Sequence, residues 1–391
     1  MPNIGELTLA PAQEFDFRLL IKALGKGEKG SRSLTFAEAR LLLEGFASGH
    51  ATRVQMASAM MLMRVRGETL EEVAGMVSGL RRSVAKGWQS LTVDIDWPVY
   101  AGKREQLPWL LLVAKLLASQ GVRVMLHGDS KALPHRRHVE SCIAALNIRC
   151  CSTPQSAQEA LNVDHIVYVC AGDLAPVLDE CRQLHQELGL RSLIQTAARC
   201  INPCNAPLSL RSYFHPGLDN LHQQLCETLL ANGDYPAGHV AIFKGLQGET
   251  EFNPRVATNV TVVGNPLGYV EVSSFTLPTL LEGFSGAKVG QAELSSEILA
   301  LLWREPQPFL STELNRLMSR TMIEQALSSV NATLAAVLLL LDQHAKMATN
   351  VAQALNVERA IQLGQECWQH RFCTSNHPLV RWHNKERLCV V

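Results

Sequence analysis

The sequence carries no surplus of charge of either sign. Its 36 basic and 36 acidic residues cancel over 391 positions, so no overall positive field announces a nucleic-acid partner and no acidic bias announces a disordered tail. Any electrostatic partner must be drawn by local patches. An apolar run long enough for a bilayer is also missing. The most apolar stretches, Trp109 to Ala118 and Thr333 to Leu341, contain Lys115 or stop at Asp342, short of the roughly 20 residues a membrane helix needs, and no membrane association is expected. Met1 to Ala12 has no basic segment followed by an apolar one, so export is not expected. A disulfide framework is absent too. The 11 cysteines are odd in number and scattered through apolar segments, as at Cys142, Cys170, Cys226 and Cys367, which suits buried thiols in a reducing cytoplasm. No internal repeat or low-complexity segment stands out.

What is present is enough apolar material, 47%, for one large core or two moderate ones, and the length favours two domains. From Phe15 to Val84 the pattern is helical. Phe17, Leu20, Ile21 and Leu24 recur at helical spacing before the break Gly25 to Gly30, and Thr35-Phe-Ala-Glu38 reads as a capping box. Thr52 caps a helix through Met56 to Val65, and Thr69 with Glu72 opens another ending near Ala85. After Trp97-Pro98 short apolar runs at Val122 to Leu126, Ile166 to Cys170 and His239 to Phe243 read as strands covered on both faces. Thr258 to Val263 and Tyr269 to Val272 flank Gly264-Asn-Pro-Leu-Gly268 as a hairpin, so the sheet is expected to be mixed. Helices return from Ser295 to Trp303 and from Glu313 to His370.

Three ordered blocks carry a family resemblance. Leu34 to Arg40 with Met60 to Gly75 is the first, Val124-Met-Leu-His-Gly-Asp129 the second, and Glu187-Leu-Gly-Leu-Arg-Ser192 with Asn202-Pro203 the third. Their order and intervals resemble the anthranilate phosphoribosyltransferases over about residues 15 to 370. The resemblance implies an α/β fold in which a small N-terminal helical bundle joins a large α/β domain with a central, mostly parallel sheet, as in nucleoside phosphorylases and phosphoribosyltransferases. The helical domain would span 14–86, completed by helices within about 175–200. The α/β domain would take 90–172 and 203–370, leaving a tail at 371–391.

The departures from the family pattern concern its chemistry. The family's Gly-Thr-Gly-Gly-Asp loop closes backbone N–H groups on a pyrophosphate because glycine leaves the approach open. Here the stretch is Tyr100-Ala-Gly-Lys-Arg-Glu-Gln106, in which Gly102 remains and Lys103 and Arg104 intrude. The family's Asn-x-Ser-Thr becomes Leu107-Pro-Trp-Leu-Leu111, without hydroxyls. The lysine before His-Gly-Asn is Leu126, the substrate-contacting arginine falls near His185, and the metal-binding Asp-Glu pair aligns with Thr250-Glu251, beside Glu249. Gly102, His127, Gly128, Asp129 and His185 thus resemble a vestigial substrate site, with Glu249 and Glu251 as vestigial metal ligands. Losing the cradle, the hydroxyls and half of the ligands removes most of the positioning that phosphoribosyl transfer depends on. No cofactor is expected, and Mg²⁺ only if transferase activity survives.

Tyr-x-Gly-x-Arg/Lys in place of the glycine loop, with Gly248-Glu-Thr-Glu-Phe-Asn-Pro254, is similar to a divergent branch of the family whose members are described as homodimers that bind nucleic acid without marked sequence preference. Lys103 and Arg104, where a phosphate would dock, and Lys131, Arg136 and Arg137 in the densest basic stretch, Lys131 to His138, are the candidate contacts to a phosphate backbone. A solvated pair and a solvated helix start are the bland readings of the same residues. His135, His138 and Cys142 at i, i+3 and i+7 invite a zinc reading but lack a fourth ligand, and Cys200 with Cys204 fares no better. His127 reads as a packing and hydrogen-bonding residue, with no carboxylate partner identifiable. Lys22, Lys26, Lys29 and Arg32 form a basic loop or a phosphate-binding lobe. The Met-rich helix Gln55 to Val65 is the candidate homodimer face. Three functions stay open: a nonspecific nucleic-acid-binding homodimer in the cytoplasm, a transferase of altered substrate, and a noncatalytic regulatory partner.

Overall fold

The computed structural model describes residues 10–27, 29–133, 135–236, 238–265, 269–281, 294–349, 355–373 and 377–379. By internal contacts the chain divides into two units. One comprises the chain up to Leu91, Cys170–Asn205 and Asn220–Pro236; the other comprises Thr92–Val169, Ala206–Asp219 and the described residues beyond 237. Most of the expected tail, 371–391, lies outside the described residues.

The first unit is helical. Its N-terminal helices are Arg18–Gly25, Phe36–Ala47, Arg53–Arg66 and Leu70–Ser83. Their starts are written locally: Thr35 with Glu38, Thr52 with Gln55 and Thr69 with Glu72 each form a reciprocal capping box, satisfying backbone N–H groups that a helix start leaves open. The basic stretch that holds Lys22, Lys26, Lys29 and Arg32 begins in the last turn of the first helix and continues, in its described residues, as a turn. Helix Leu70–Ser83 lies close against Phe36–Ala47 because two of its residues have no side chain. A Cβ on Gly75 would stand 2.4 Å from the Phe36 carbonyl oxygen and 2.7 Å from Ala39 Cβ. Helices Pro176–Leu188 and Ile194–Ala198 belong to this unit, as does most of Leu218–Ala231. Leu225, Cys226 and Leu229 of the last are buried. Ser78 hydroxyl donates to Asp234 at 2.5 Å, and Arg81 lies over the Tyr235 ring.

The second unit is built on a seven-stranded sheet. Its strands are β1 Ile95–Pro98, β2 Val124–Gly128, β3 Ile166–Cys170, β4 Leu208–Tyr213, β5 His239–Lys244, β6 Thr258–Gly264 and β7 Glu271–Leu277. The order is β3-β2-β1-β4-β5-β6-β7. β1 runs parallel to β2 and β4, and β4 parallel to β5, while β6 and β7 add an antiparallel hairpin. The mostly parallel sheet and its hairpin follow the sequence expectation. Two inner strands do not. β1 is four residues long, and β4 carries Ser209, Arg211 and Ser212, all buried, so neither reads as an apolar run. Lys131 to His138, expected to open a helix, forms turns, followed by the 3₁₀ turns Val139–Ser141 and Ile143–Leu146; Pro134 lies outside the described residues. Helix Arg320–Thr349 has the length and apolarity of a membrane span, yet 83% of its most apolar stretch is buried inside the protein, so the core consumes its apolar surface.

Candidate functional site

The site lies where β1, β2, β4 and β5 end, the edge at which open α/β sheets bind ligands. β1 runs out into the loop 99–106. There Gly102 has φ +64°, and a Cβ on it would stand 2.9 Å from Arg136 Cβ and 3.0 Å from His138 Cε1, so this glycine is required by its neighbours. Lys103 N–H donates to Arg137 carbonyl at 2.8 Å and Arg137 N–H returns to Lys103 carbonyl at 2.9 Å. This isolated antiparallel bridge fastens the loop to the basic turn 131–138. Arg136 Nη1 donates to the Ala101 carbonyl at 3.1 Å.

A second loop, after β5, is wired to the first through carboxylates. Glu249 Oε2 accepts from Gly102 N–H at 2.8 Å and its Oε1 from Thr250 N–H at 3.1 Å. Glu251 Oε2 accepts from Leu110 N–H at 2.8 Å, and its Oε1 is paired with Lys103 Nζ. Leu110 is the first residue of helix Leu110–Ser119, which has no side-chain cap of its own, so Glu251 serves as a remote one at the positive end of the helix dipole. Gln247 Oε1 accepts from Arg104 N–H at 2.8 Å. Lys103, Glu249 and Glu251 are fully buried. Burial pushes Lys103 below the usual lysine range and Glu251 above the usual carboxylate range, each opposed by the attraction of the other.

The N–H groups of Gly102 in the loop 99–106 and of Leu110 at the following helix start are thus taken by the protein's own carboxylates. The Lys103 side chain stands against Glu251. The residues present do not fit Mg²⁺: one carboxylate is neutralised by Lys103, both are engaged by backbone donors, and neither is open to solvent. Among the described residues no cluster of three or more His, Cys, Asp or Glu side chains is arranged to hold a metal. His135 is exposed in a turn while His138 and Cys142 are buried, so the expected helical alignment of these three does not form.

His127 has the carboxylate partner that the sequence did not disclose. Its Nε2 is 2.9 Å from Asp96 Oδ1, Asp96 Oδ2 accepts from Ser209 hydroxyl at 2.6 Å, and Tyr100 hydroxyl is 2.9 Å from His127 Nδ1. The carboxylate fixes the proton on Nε2 and leaves Nδ1 to accept from Tyr100. Asp96, His127 and Ser209 are buried. This chain ties β1, β2 and β4 together just beneath the loops.

The expected phosphate contacts therefore separate. Lys103 is corrected: it is withdrawn into the interior and cannot face a solvent-borne backbone, because its charge is committed to Glu251. Arg104 and Lys131 are exposed, and Arg136 and Arg137 half-buried, in the fastened loops; Glu105 is exposed beside Arg104. Gly128 and Asp129 continue from β2, and Asp129 Oδ1 accepts from Lys131 N–H at 3.0 Å. His185 belongs to the helical unit, half-buried on Pro176–Leu188, with Nδ1 3.3 Å from Gln195 Nε2. Sequence reasoning missed Asp96, Tyr100, Ser209 and Gln247 as site residues, and also Lys244 and Phe214, exposed at the ends of β5 and β4. The signal available for Phe214 was Tyr213-Phe-His-Pro216, an aromatic pair before a turn, had β4 been read.

Residues 18–84 match the helical bundle domain of the glycosyl transferase family. The fold is that of solved anthranilate phosphoribosyltransferases. The chain is 25% identical over 203 residues to the anthranilate phosphoribosyltransferase of Actinobacillus pleuropneumoniae serotype 5b (strain L20), a match covering 51% of this chain and 60% of that enzyme, less than two thirds of its length. It is 24% identical over 256 residues to the protein YbiB of Escherichia coli (strain K12), covering 63% of this chain and 76% of YbiB. The solved anthranilate phosphoribosyltransferase from Saccharomyces cerevisiae in complex with PRPP and Mg superposes with a TM-score of 0.63 at 13% identity, over 93% of this chain and 96% of that one. At such identity the likeness concerns the fold.

Proposed function

We propose that this protein is a noncatalytic, sequence-nonspecific nucleic-acid-binding homodimer of the cytoplasm, built on the anthranilate phosphoribosyltransferase scaffold. The observation that supports the reading is the internal pairing of charges at the strand ends. Glu249 and Glu251 take up the N–H groups of Gly102 and Leu110, and Lys103 pairs with Glu251. A site wired in this way offers a phosphoribosyl donor neither those N–H groups nor an open carboxylate pair for Mg²⁺. Around it, Arg104 and Lys131 are exposed and Arg136 and Arg137 half-buried, in two loops joined by the Lys103–Arg137 bridge. Cations anchored on paired loops suit a polyphosphate backbone, which needs positive charge rather than a glycine cradle. The methionine-bearing helix Arg53–Arg66, where Met61 and Leu62 remain partly exposed and Val54 and Val65 are 75% and 79% exposed, is the proposed dimer face.

The test changes Arg104, Lys131, Arg136 and Arg137 to Glu together and measures binding to unrelated oligonucleotides at two salt concentrations. Wild type should bind all of them alike, with affinity falling at a log–log slope of about 0.9 per duplex phosphate neutralised, and the variant should lose most of that binding. Equal binding with the same slope in a folded variant would remove these residues from the interface. Heat released on titrating wild type with phosphoribosyl pyrophosphate and Mg²⁺ would revive the transferase reading. A monomer by light scattering at micromolar concentration would remove the dimer.

A further inference from the structure

We infer that the nucleic acid is taken up as a single strand, with a base stacked on Phe214 while its phosphates follow the neighbouring cations. The inference rests on the nucleic-acid reading above and adds the class of substrate to it. Phe214 follows directly on β4 and is 48% exposed. Its place relative to the cations is fixed by Gly248. Phe214 Cβ and Cδ2 lie 3.4 and 3.7 Å from the point where a side chain on Gly248 would begin, and Ala101 Cβ lies 3.5 Å from the same point. The Ala101 carbonyl is the group that receives Arg136 Nη1. On the other side of Gly248, Gln247 holds the backbone of Arg104. The ring therefore stands next to the loop pair that carries Arg104, Arg136 and Arg137. Lys244, exposed, ends the adjacent strand opposite Tyr213.

The ring is braced rather than loose. His215 packs edge-on against it, with centroids 5.1 Å apart and planes at 82°, which leaves a face of the phenyl group for a flat partner. A duplex keeps its bases stacked on one another and presents only phosphates to such a surface. An unpaired strand can turn one base onto the ring at no cost in base pairing, and stacking is indifferent to which base it is. Cations and an aromatic platform together are the requirements for sequence-tolerant single-strand binding; the cations alone suffice for duplex.

The experiment uses the full chain and three probes: a fluorescein-labelled oligothymidine, an abasic strand with the same number of phosphates, and a duplex of that length. Wild type should prefer oligothymidine over both. Phe214→Ala should weaken oligothymidine binding roughly tenfold, leave the abasic strand and the duplex unchanged and keep the salt slope, while Phe214→Trp should retain or strengthen the oligothymidine complex. An equal loss on all three probes, or no loss on any, overturns the stacking inference but leaves the nucleic-acid reading standing. Wild type that binds none of the probes overturns both.

Discussion

Both units of this protein use buried carboxylates to satisfy backbone N–H groups, and they do so over very different distances along the chain. In the helical unit Glu38 accepts from Thr35 N–H and Glu72 from Thr69 N–H, each three residues away. In the α/β unit Glu249 accepts from Gly102 N–H and Glu251 from Leu110 N–H, 147 and 141 residues away. All four carboxylates are at most 1% exposed. A carboxylate that caps its own helix serves one element. One that caps a distant helix or loop fixes the distance between two elements, here the loop after β5 on one side and the loop 99–106 with the start of helix Leu110–Ser119 on the other. The same bond is a folding signal in one place and a tertiary tie in the other.

The largest test of this contrast is Lys103→Ala. It leaves the Glu251 carboxylate buried without its cation, and unfolding by urea should show a loss of about 3–5 kcal/mol. Replacing Lys103 and Glu251 together by methionine should recover much of that loss, because a well-packed apolar pair carries no desolvation penalty. A double variant no better than Lys103→Ala would mean that the pair is held for the Leu110 cap rather than for its charge balance. The local arrangement should be less costly to break: Thr35→Ala removes one side-chain acceptor at a helix start and should cost about 1 kcal/mol, read in the same denaturation experiment. A cost as large as that of Lys103→Ala would abolish the distinction between local and distant wiring.

A further test concerns pH, and it separates carboxylate wiring from simple burial. His239, at the start of β5, packs edge-on to His344, with centroids 5.6 Å apart. Burial, reinforced by His344, pushes its pKa from 6.5 down to about 4, with Glu271 opposing. Between those values the unfolded chain takes up a proton that the folded chain refuses. The contribution is therefore complete above pH 6.5 and is lost as pH falls towards 4. His239→Phe keeps an aromatic ring and removes the titration. Its stability should fall less than that of wild type between pH 7 and pH 5, measured by thermal unfolding, and identical falls would place the acid sensitivity elsewhere.

Much of the fold was legible because its signals are short-range. The helix starts read at Thr35, Thr52 and Thr69 carry the three capping boxes, and β6 and β7 pair antiparallel where a hairpin was expected, with the second strand at Glu271–Leu277 rather than Tyr269 to Val272. The apolar runs at β2, β3 and β5 read as strands because they are buried on both faces. β1 and β4 escaped because their burial is shared with polar groups. Asp96 and Ser209 are acceptable inside the sheet only through each other and through His127, and no window along the chain contains all three. The helix expected at Lys131 failed for a related reason: Arg137 gives its backbone hydrogen bonds to Lys103, a partner outside any local pattern.

By itself the sequence determined where the capped N-terminal helices and the strands β2, β3 and β5 lie, which of their faces are apolar, and that Lys103 and Arg104 stand side by side after Gly102. Those properties depend on residues within a few positions of one another. Which of the two cations reaches solvent was decided by tertiary structure alone. Adjacent in the chain, they differ because Lys103 meets Glu251 in a space that excludes water, whereas Arg104 is held outward by Gln247 and by the bridge to Arg137. A charge in a dry interior must be neutralised by whatever the fold brings to it, and only the closed sheet brings residue 251 to residue 103.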